Sequence, residues 1–356
     1  MIKLLQIMPL FELAGAQTMC ENLVNEIVKN KNIDITIITF FNNHCEIIDR
    51  LEANNINVIK LNKHKGFDVK IIFKLIYYFN KIKPNVIHTH LSALQYVYPA
   101  YLCTKNHKEI KLIHTIHNEA NKENKKRIRL LQKKLFEEKK VIPVAISDTI
   151  QETVCREYKI KKEDVPIIYN SIDLSNCIQK KSYDLKYQLL NIGRITKQKN
   201  QEELLEIFNE FYKDNPQFKL VIVGAGPLED ELQEKINILN LNNSVKIINR
   251  LDSCYKILHE SDCFLMTSEF EGLPMTILEA LGTGTPIVTY AAGGIADIVL
   301  DGYNGMIANN KEEFIQKMKL ILDNIELRKT ISQNEIISSK KYSSKNMAEL
   351  YMKLYV

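Results

Sequence analysis

Short apolar runs alternate with longer amphipathic segments along the whole chain. Runs of strand type occupy residues 3–8, 35–40, 57–61, 86–90, 111–117 and 142–147, and the pattern restarts at 188–194, 218–224, 245–248, 263–267 and 286–290. Between them, segments such as 19–29 and 69–82 place apolar residues three and four apart, the repeat of a helix with one buried face. Alternation of this kind predicts βαβ units around a parallel sheet. The restart predicts two successive parallel α/β domains, residues 1–173 and 188–340, joined by a polar connector over 174–187. In such sheets ligands sit beyond the carboxyl ends of the strands, where strand order reverses. Every candidate motif below follows a predicted strand.

Composition leaves this picture in place. At 356 residues, 45% apolar and 26% charged, the chain is long enough for two domains with a core each. Seven cysteines (20, 45, 103, 155, 177, 254 and 263) are scattered, odd in number and never spaced as C-x-x-C. That argues against a disulfide framework or a structural zinc site, and points to a reducing, cytoplasmic setting. The opening apolar stretch is broken by Gln6 and reads as a first buried strand rather than a secretory leader. No run approaches the roughly 18 apolar residues of a membrane span.

Charge adds one feature. Residues 1–185 carry 29 Lys and Arg against 20 Asp and Glu, while the remainder carries 19 against 23. The basic density is high over 122–140, where Ile128, Leu130, Leu131 and Leu135 interleave the cations. A helix of that type can lie on an anionic membrane, so peripheral contact at the inner face of the membrane is an expectation for this segment. No nucleic-acid motif accompanies the charge, and no nucleic-acid partner is expected.

Candidate chemistry concentrates after the strands of the second half. After 263–267 comes Ser268-Glu-Phe-Glu-Gly-Leu-Pro-Met-Thr-Ile-Leu-Glu279. Glu271 and Gly272 fall in a turn, Pro274 suits the first position of a helix, and Gly282 and Gly284 suit its end. Glu279 shares a helix face with Met275 and Thr276. The N–H groups of Met275, Thr276 and Ile277 would offer a diphosphate a partly positive helix end. Carboxylates are natural acceptors for sugar hydroxyls, although solvated positions for Glu271 and Glu279 fit the spacing too. After 188–192, Gly193, Arg194 and Lys199 could supply counter-charge for a departing diphosphate. Val223-Gly-Ala-Gly-Pro227 is a strand-to-helix turn whose third glycine is missing, and Ala14-Gly15-Ala16 makes a similar turn after the first strand. His88, His90, His114 and His117 close two neighbouring strands; alternation is expected to leave at most one from each on the ligand side. His117, last on its strand, is the candidate.

Together these segments resemble the family-4 retaining nucleotide-sugar glycosyltransferases. The family's E-x7-E is met by Glu271 and Glu279, and its paired basic residues by Arg194 and Lys199. Ala292-Gly-Gly294 and Asp301-Gly-Tyr-Asn-Gly305 follow in the family's order. The resemblance implies the type B fold (GT-B): α/β, with two Rossmann-like doubly wound parallel-sheet domains facing across a cleft, the second binding the donor and the first the acceptor. It also implies that a C-terminal helix, residues 341–356, packs back on the first domain.

For the residues, it implies Glu279 at the donor ribose and Glu271 at the sugar hydroxyls. Arg194 and Lys199 would hold the diphosphate beside Gly193, Gly272 and the amides of Leu273, Pro274's neighbours Met275 and Thr276. His117 would sit beside the reacting carbon, with Gly15 and Ala16 on the acceptor side. The partners implied are a nucleotide-diphosphate sugar and a glycan or lipid-linked acceptor, with neither cofactor nor metal. Ala14, Ser171, Asp297 and Arg250 depart from the family pattern, and Arg250 bears on how the nucleobase is held.

Three other functions compete. A nucleotide-sugar epimerase of the same architecture would need an acid and a base to move a sugar proton, and a non-catalytic nucleotide-sugar-binding protein would bind without turnover. A dehydrogenase would need a completed glycine fingerprint.

Overall fold

The first six apolar runs form one sheet. Its strands are β1 (Ile2–Met8), β2 (Ile33–Thr39), β3 (Asn57–Lys60), β4 (Val86–His90), β5 (Lys111–Ile116) and β6 (Ile142–Ala145). All are parallel, in the order β3-β2-β1-β4-β5-β6. Strand order therefore reverses between β1 and β4, where Gln6 pairs with His88. The second set comprises β7 (Gln188–Ile192), β8 (Lys219–Val223), β9 (Val245–Ile248), β10 (Cys263–Met266), β11 (Ile287–Tyr290) and β12 (Met306–Ala308). Its order, β12-β11-β10-β7-β8-β9, is the same topology counted from its own first strand, with the reversal between β7 and β10. Such a reversal opens a crevice at the carboxyl edge, since the helices after the two central strands leave on opposite faces.

This computed structural model describes residues 1–251 and 253–356, in two units: Met1–Ser171 with Ser344–Val356, and Ile172–Ser343. The core of the second unit gathers Leu189 of β7, Leu265 of β10, Phe208 and Phe211 of the helix Gln201–Tyr212, and Phe314 of the helix Lys311–Asp323. In the first unit the helix Ser344–Tyr355 packs on the helix Gly15–Ile27 and buries Tyr351 and Tyr355.

The structure moves several sequence expectations. Residues 174–187 belong to the second unit instead of standing apart as a connector. The Tyr183 carbonyl there accepts from Arg328 Nε and Nη2 at 3.0 and 2.6 Å, and Lys180 Nζ donates to the Ser261 carbonyl at 2.6 Å. Residues 341–343 also fall in the second unit. β12 was not anticipated, because three residues are too few to show a period. The basic segment is two helices, Ala120–Glu123 and Lys126–Glu137. Leu135 is buried and Ile128 and Leu131 are half-buried, so most of the interleaved apolar residues pack inward; Leu130 is the exposed one. Among the described residues no helix is long and apolar enough to cross a membrane.

Candidate functional site

In the second unit the loops after β7 and β10 are fastened together across the strand-order reversal. Glu269 N–H donates to the Gln198 carbonyl and Gln198 Nε2 to the Phe270 carbonyl, both at 2.9 Å. Thr267 Oγ1 donates to the Asn200 carbonyl at 2.9 Å. Within this lacing Lys199 Nζ lies 2.6 Å from Glu271 Oε1. Glu271 is buried and Lys199 half-buried, its stem running over Gly193. Arg194, one turn earlier, is exposed, and its guanidinium has no hydrogen-bond or ion-pair partner among the described residues.

Glycines let these loops approach. A Cβ on Gly224 would overlap the Gly193 carbonyl, and one on Gly226 would overlap that of Ile195. Ile195 N–H in turn donates to the Ala225 carbonyl at 3.0 Å. The glycine pair of Val223–Pro227 therefore seats the loop that carries Arg194. On the other side Gly293, at φ +59°, presses on the Glu271 carbonyl, which accepts from Gly294 N–H at 3.1 Å. Only glycine fits both that φ and that approach.

The helix Met275–Thr283 follows. Pro274 is its extended cap, one position before the place expected for it, and Gly284 at φ +69° ends it, with Gly282 still helical. Ile277 N–H is not available as expected, because it turns back to the Pro274 carbonyl at 3.2 Å. The N–H groups of Met275 and Thr276 have no acceptor among the described residues, and Thr276 Oγ1 is buried without a partner. Gly272 and Leu273 complete the turn into this helix, both buried. Two amides, a hydroxyl and an exposed guanidinium thus remain for an anion. Glu279, a turn further along, is half-buried; burial raises its carboxyl above the ordinary range, partly offset by the Cys254 thiol that donates to it. That contact was invisible in the sequence, since Cys254 reaches Glu279 only through the tertiary fold.

In the first unit the histidines form a relay. Residues two apart on a strand share a face, so His88 and His90 lie side by side, ring centroids 4.3 Å apart, contrary to the expected alternation. His114 is on the opposite face, with Nδ1 at 2.9 Å from Thr89 Oγ1 and Nε2 at 3.0 Å from Gln132 Nε2. Gln6 Nε2 is 3.1 Å from His88 Nδ1, and Gln6 Oε1 is 3.0 Å from His90 Nε2. With this amide placement His90 carries its proton on Nε2, so its Nδ1 accepts from His117 Nε2 at 3.0 Å. His117 is left with a bare Nδ1, buried and without a partner. Burial lowers all four histidines, His114 and His117 to about 3, so this set is neutral at pH 7. The polar Gln6 inside an apolar run was the one legible sign of the relay. Gly15 opens the helix Gly15–Ile27 next to Ala16, and Gln17 Nε2 ties that turn to the Leu10 carbonyl at 2.9 Å.

Known proteins share both halves. Residues 13–176 match the model of Glycosyltransferase Family 4, and residues 178–336 match that of Glycosyl transferases group 1. An uncharacterised glycosyltransferase of Methanocaldococcus jannaschii is 33% identical over 240 residues, 62% of this chain and 59% of its own. A Campylobacter jejuni enzyme, N-acetylgalactosamine-N,N'-diacetylbacillosaminyl-diphospho-undecaprenol 4-alpha-N-acetylgalactosaminyltransferase, is 29% identical over 203 residues, 55% of each chain. The chain thus spans a little over half the length of these relatives. Anabaena HepE, crystallised with UDP and glucose, superposes with a TM-score of 0.85 at 17% identity, covering 99% of both chains. With two six-stranded parallel sheets of one topology and both family models matched in order, the chain belongs to the family-4 glycosyltransferases and has their type B fold.

Proposed function

We propose that the protein is a retaining glycosyltransferase that moves a hexosyl or N-acetylhexosaminyl group from a nucleotide diphosphate to a glycan or lipid-linked acceptor. The observation that carries this reading is the Lys199–Glu271 pair at the β7/β10 reversal, beside an uncommitted Arg194 and the open amides of Met275 and Thr276. In this reading Arg194, those amides and the remaining donors of Lys199 hold the diphosphate and stabilise the charge that develops as it leaves. Glu271, paired with Lys199, accepts from sugar hydroxyls. Glu279 accepts from the ribose. His117, on the first unit, is assigned to the reacting sugar by the family resemblance, and its bare Nδ1 suits it to accept a hydroxyl.

Since Arg194 and Lys199 supply the positive charge, activity is expected to survive EDTA. The Campylobacter relative is named for a diphospho-undecaprenol acceptor, which favours a lipid-linked substrate and a cytoplasmic protein at the inner face of the membrane, in surface polysaccharide assembly. A thermal-shift screen against UDP-, GDP-, ADP- and CDP-sugars identifies the donor, because a ligand that binds only the folded state raises its melting temperature. The decisive experiment is NMR of the first-formed product. An α-linked donor should give an α-linked product; a β-product would overturn retention and promote a base on the first unit.

A further inference from the structure

The loop 62–68 and the helix Lys70–Ile82 of the first unit expose an apolar strip that nothing in the transfer chemistry uses. Phe67 is 68% exposed, Val69 53%, Phe73 67% and Tyr77 58%. Val69, Phe73 and Tyr77 are spaced by four and stack along one edge of the helix. Ile71, Leu75 and Phe79 already fill its buried side, so the strip is a second apolar edge turned to solvent. Its tip is held in place. The Phe67 ring stacks on Tyr96 at 5.1 Å, whose hydroxyl accepts from Asp68 N–H at 3.3 Å. Lys63 Nζ donates to the carbonyls of His64, at 2.8 Å, and Gly66, and lies 5.0 Å from the Phe41 ring.

The charge around the strip has one sign. Between Glu52 and Glu109 the chain has nine lysines and a single acid, Asp68. The Asp68 carboxylate is occupied by the N–H groups of His64 and Lys70, at 3.2 and 3.0 Å. Lys65, Lys70, Lys81 and Lys83 are exposed and form no ion pair among the described residues. The segment 122–140 differs chiefly in its apolar residues, since Lys125, Lys126, Arg127 and Lys134 there are also exposed without an ion pair among the described residues. Lys122, Arg129, Lys133, Lys139 and Lys140 there are paired with Glu119, Glu157, Glu137, Asp164 and Glu138, and its apolar residues mostly pack inward. Exposed aromatics rimmed by unpaired lysines match a bilayer interface, which takes rings at the headgroup boundary and cations at the phosphates. A merely solvated face has no use for four adjacent large apolar side chains.

We propose that this face, Phe67, Val69, Phe73 and Tyr77 with Lys65, Lys70 and Lys81, docks the protein on an anionic phospholipid membrane, in place of the segment 122–140. The test is co-sedimentation with vesicles of phosphatidylcholine alone and of an equal mixture with phosphatidylglycerol. The protein should bind the mixed vesicles and leave them as salt rises. Phe73→Ser with Tyr77→Ser should lower binding about tenfold. Lys65→Gln, Lys70→Gln and Lys81→Gln together should lower it about a hundredfold, near fivefold for each charge. All five positions are exposed, so melting temperatures should stay put. Lys125→Gln, Lys126→Gln and Arg127→Gln together should change binding less than threefold.

Equal binding to both vesicle types, no binding, or a loss with the last variant as large as with the first two would overturn the proposal. So would a wild-type dimer, seen by sedimentation velocity, that the Phe73 and Tyr77 changes split while vesicle binding is unaltered; a second copy would then cover the face. Binding needs no turnover, so the result stands apart from the transfer assay.

Discussion

Lys199 Nζ lies 2.6 Å from Glu271 Oε1, although the two residues are 72 positions apart and stand in loops of different strands. The pair spans the point where strand order reverses, and each charge holds the other in a site with little water. Removing one partner of such a pair strands the other.

Lys199 and Arg194 should therefore respond differently. Arg194→Ala is expected to lower turnover about 10²–10³-fold, the range for a comparable electrostatic group, with no change in melting temperature. Lys199→Ala should lower turnover similarly and also destabilise the second unit by about 3 kcal/mol. Lys199→Met with Glu271→Leu should restore most of that stability and none of the activity. Urea unfolding with steady-state kinetics checks both; equal stability in the two single variants would remove the structural role of the pair.

Glu279→Gln should weaken donor binding by about 1.5–3 kcal/mol, the value of a hydrogen bond to a charged group, and leave the fold intact. Burial raises the Glu279 carboxyl, so in the wild type the carboxylate takes up its proton above the ordinary glutamate range. Donor affinity should fall as pH drops through that raised value and be flatter in the variant. Calorimetric titration at several pH values decides; an identical pH profile in both proteins would show that Glu279 does not accept from the donor.

Gly293→Ala tests how the Glu271 loop is held. The substitution combines φ +59° with a Cβ that overlaps the Glu271 carbonyl, so the loop must move. The strain alone costs about 1–2 kcal/mol, and activity should drop further than stability does. Gly302→Ala is the control: its φ is +74° but no atom lies in the way, so it should show strain without loss of turnover. Matching activity losses in the two would argue against positioning by Gly293.

The buried histidines predict acid sensitivity of the first unit. In the folded state His114 and His117 stay neutral down to about pH 3, and His88 and His90 are lowered further than an ordinary imidazole as well. Unfolded histidines protonate near pH 6.5. Between those values the unfolded chain binds protons that the folded chain refuses, so stability falls as pH falls. The slope is up to ~1.4 kcal/mol per pH unit for each histidine. Thermal unfolding at pH 7.5, 6.5 and 5.5 should show a steepening loss below 6.5; a flat midpoint over that range would contradict the buried, neutral relay.

The sequence by itself determined the sheets. Eleven apolar runs fall on the eleven longer strands, because a strand buried on both faces must be continuously apolar whatever surrounds it. It also placed Arg194, Lys199, Glu271 and Glu279 at strand ends, since glycine and proline mark where each strand turns into its helix. What it could not reach were relations set by packing between distant segments. Lys199 and Glu271 read as separate contacts to a ligand until the fold paired them. Cys254 meets Glu279 because the helix it caps, Tyr255–Glu260, packs on Met275–Thr283, and Gln6 orders His90 and His117 because neighbouring strands bring them together. The same limit holds at the surface: 122–140 and 63–83 are comparably basic as strings, and only burial tells which of them turns its apolar residues outward.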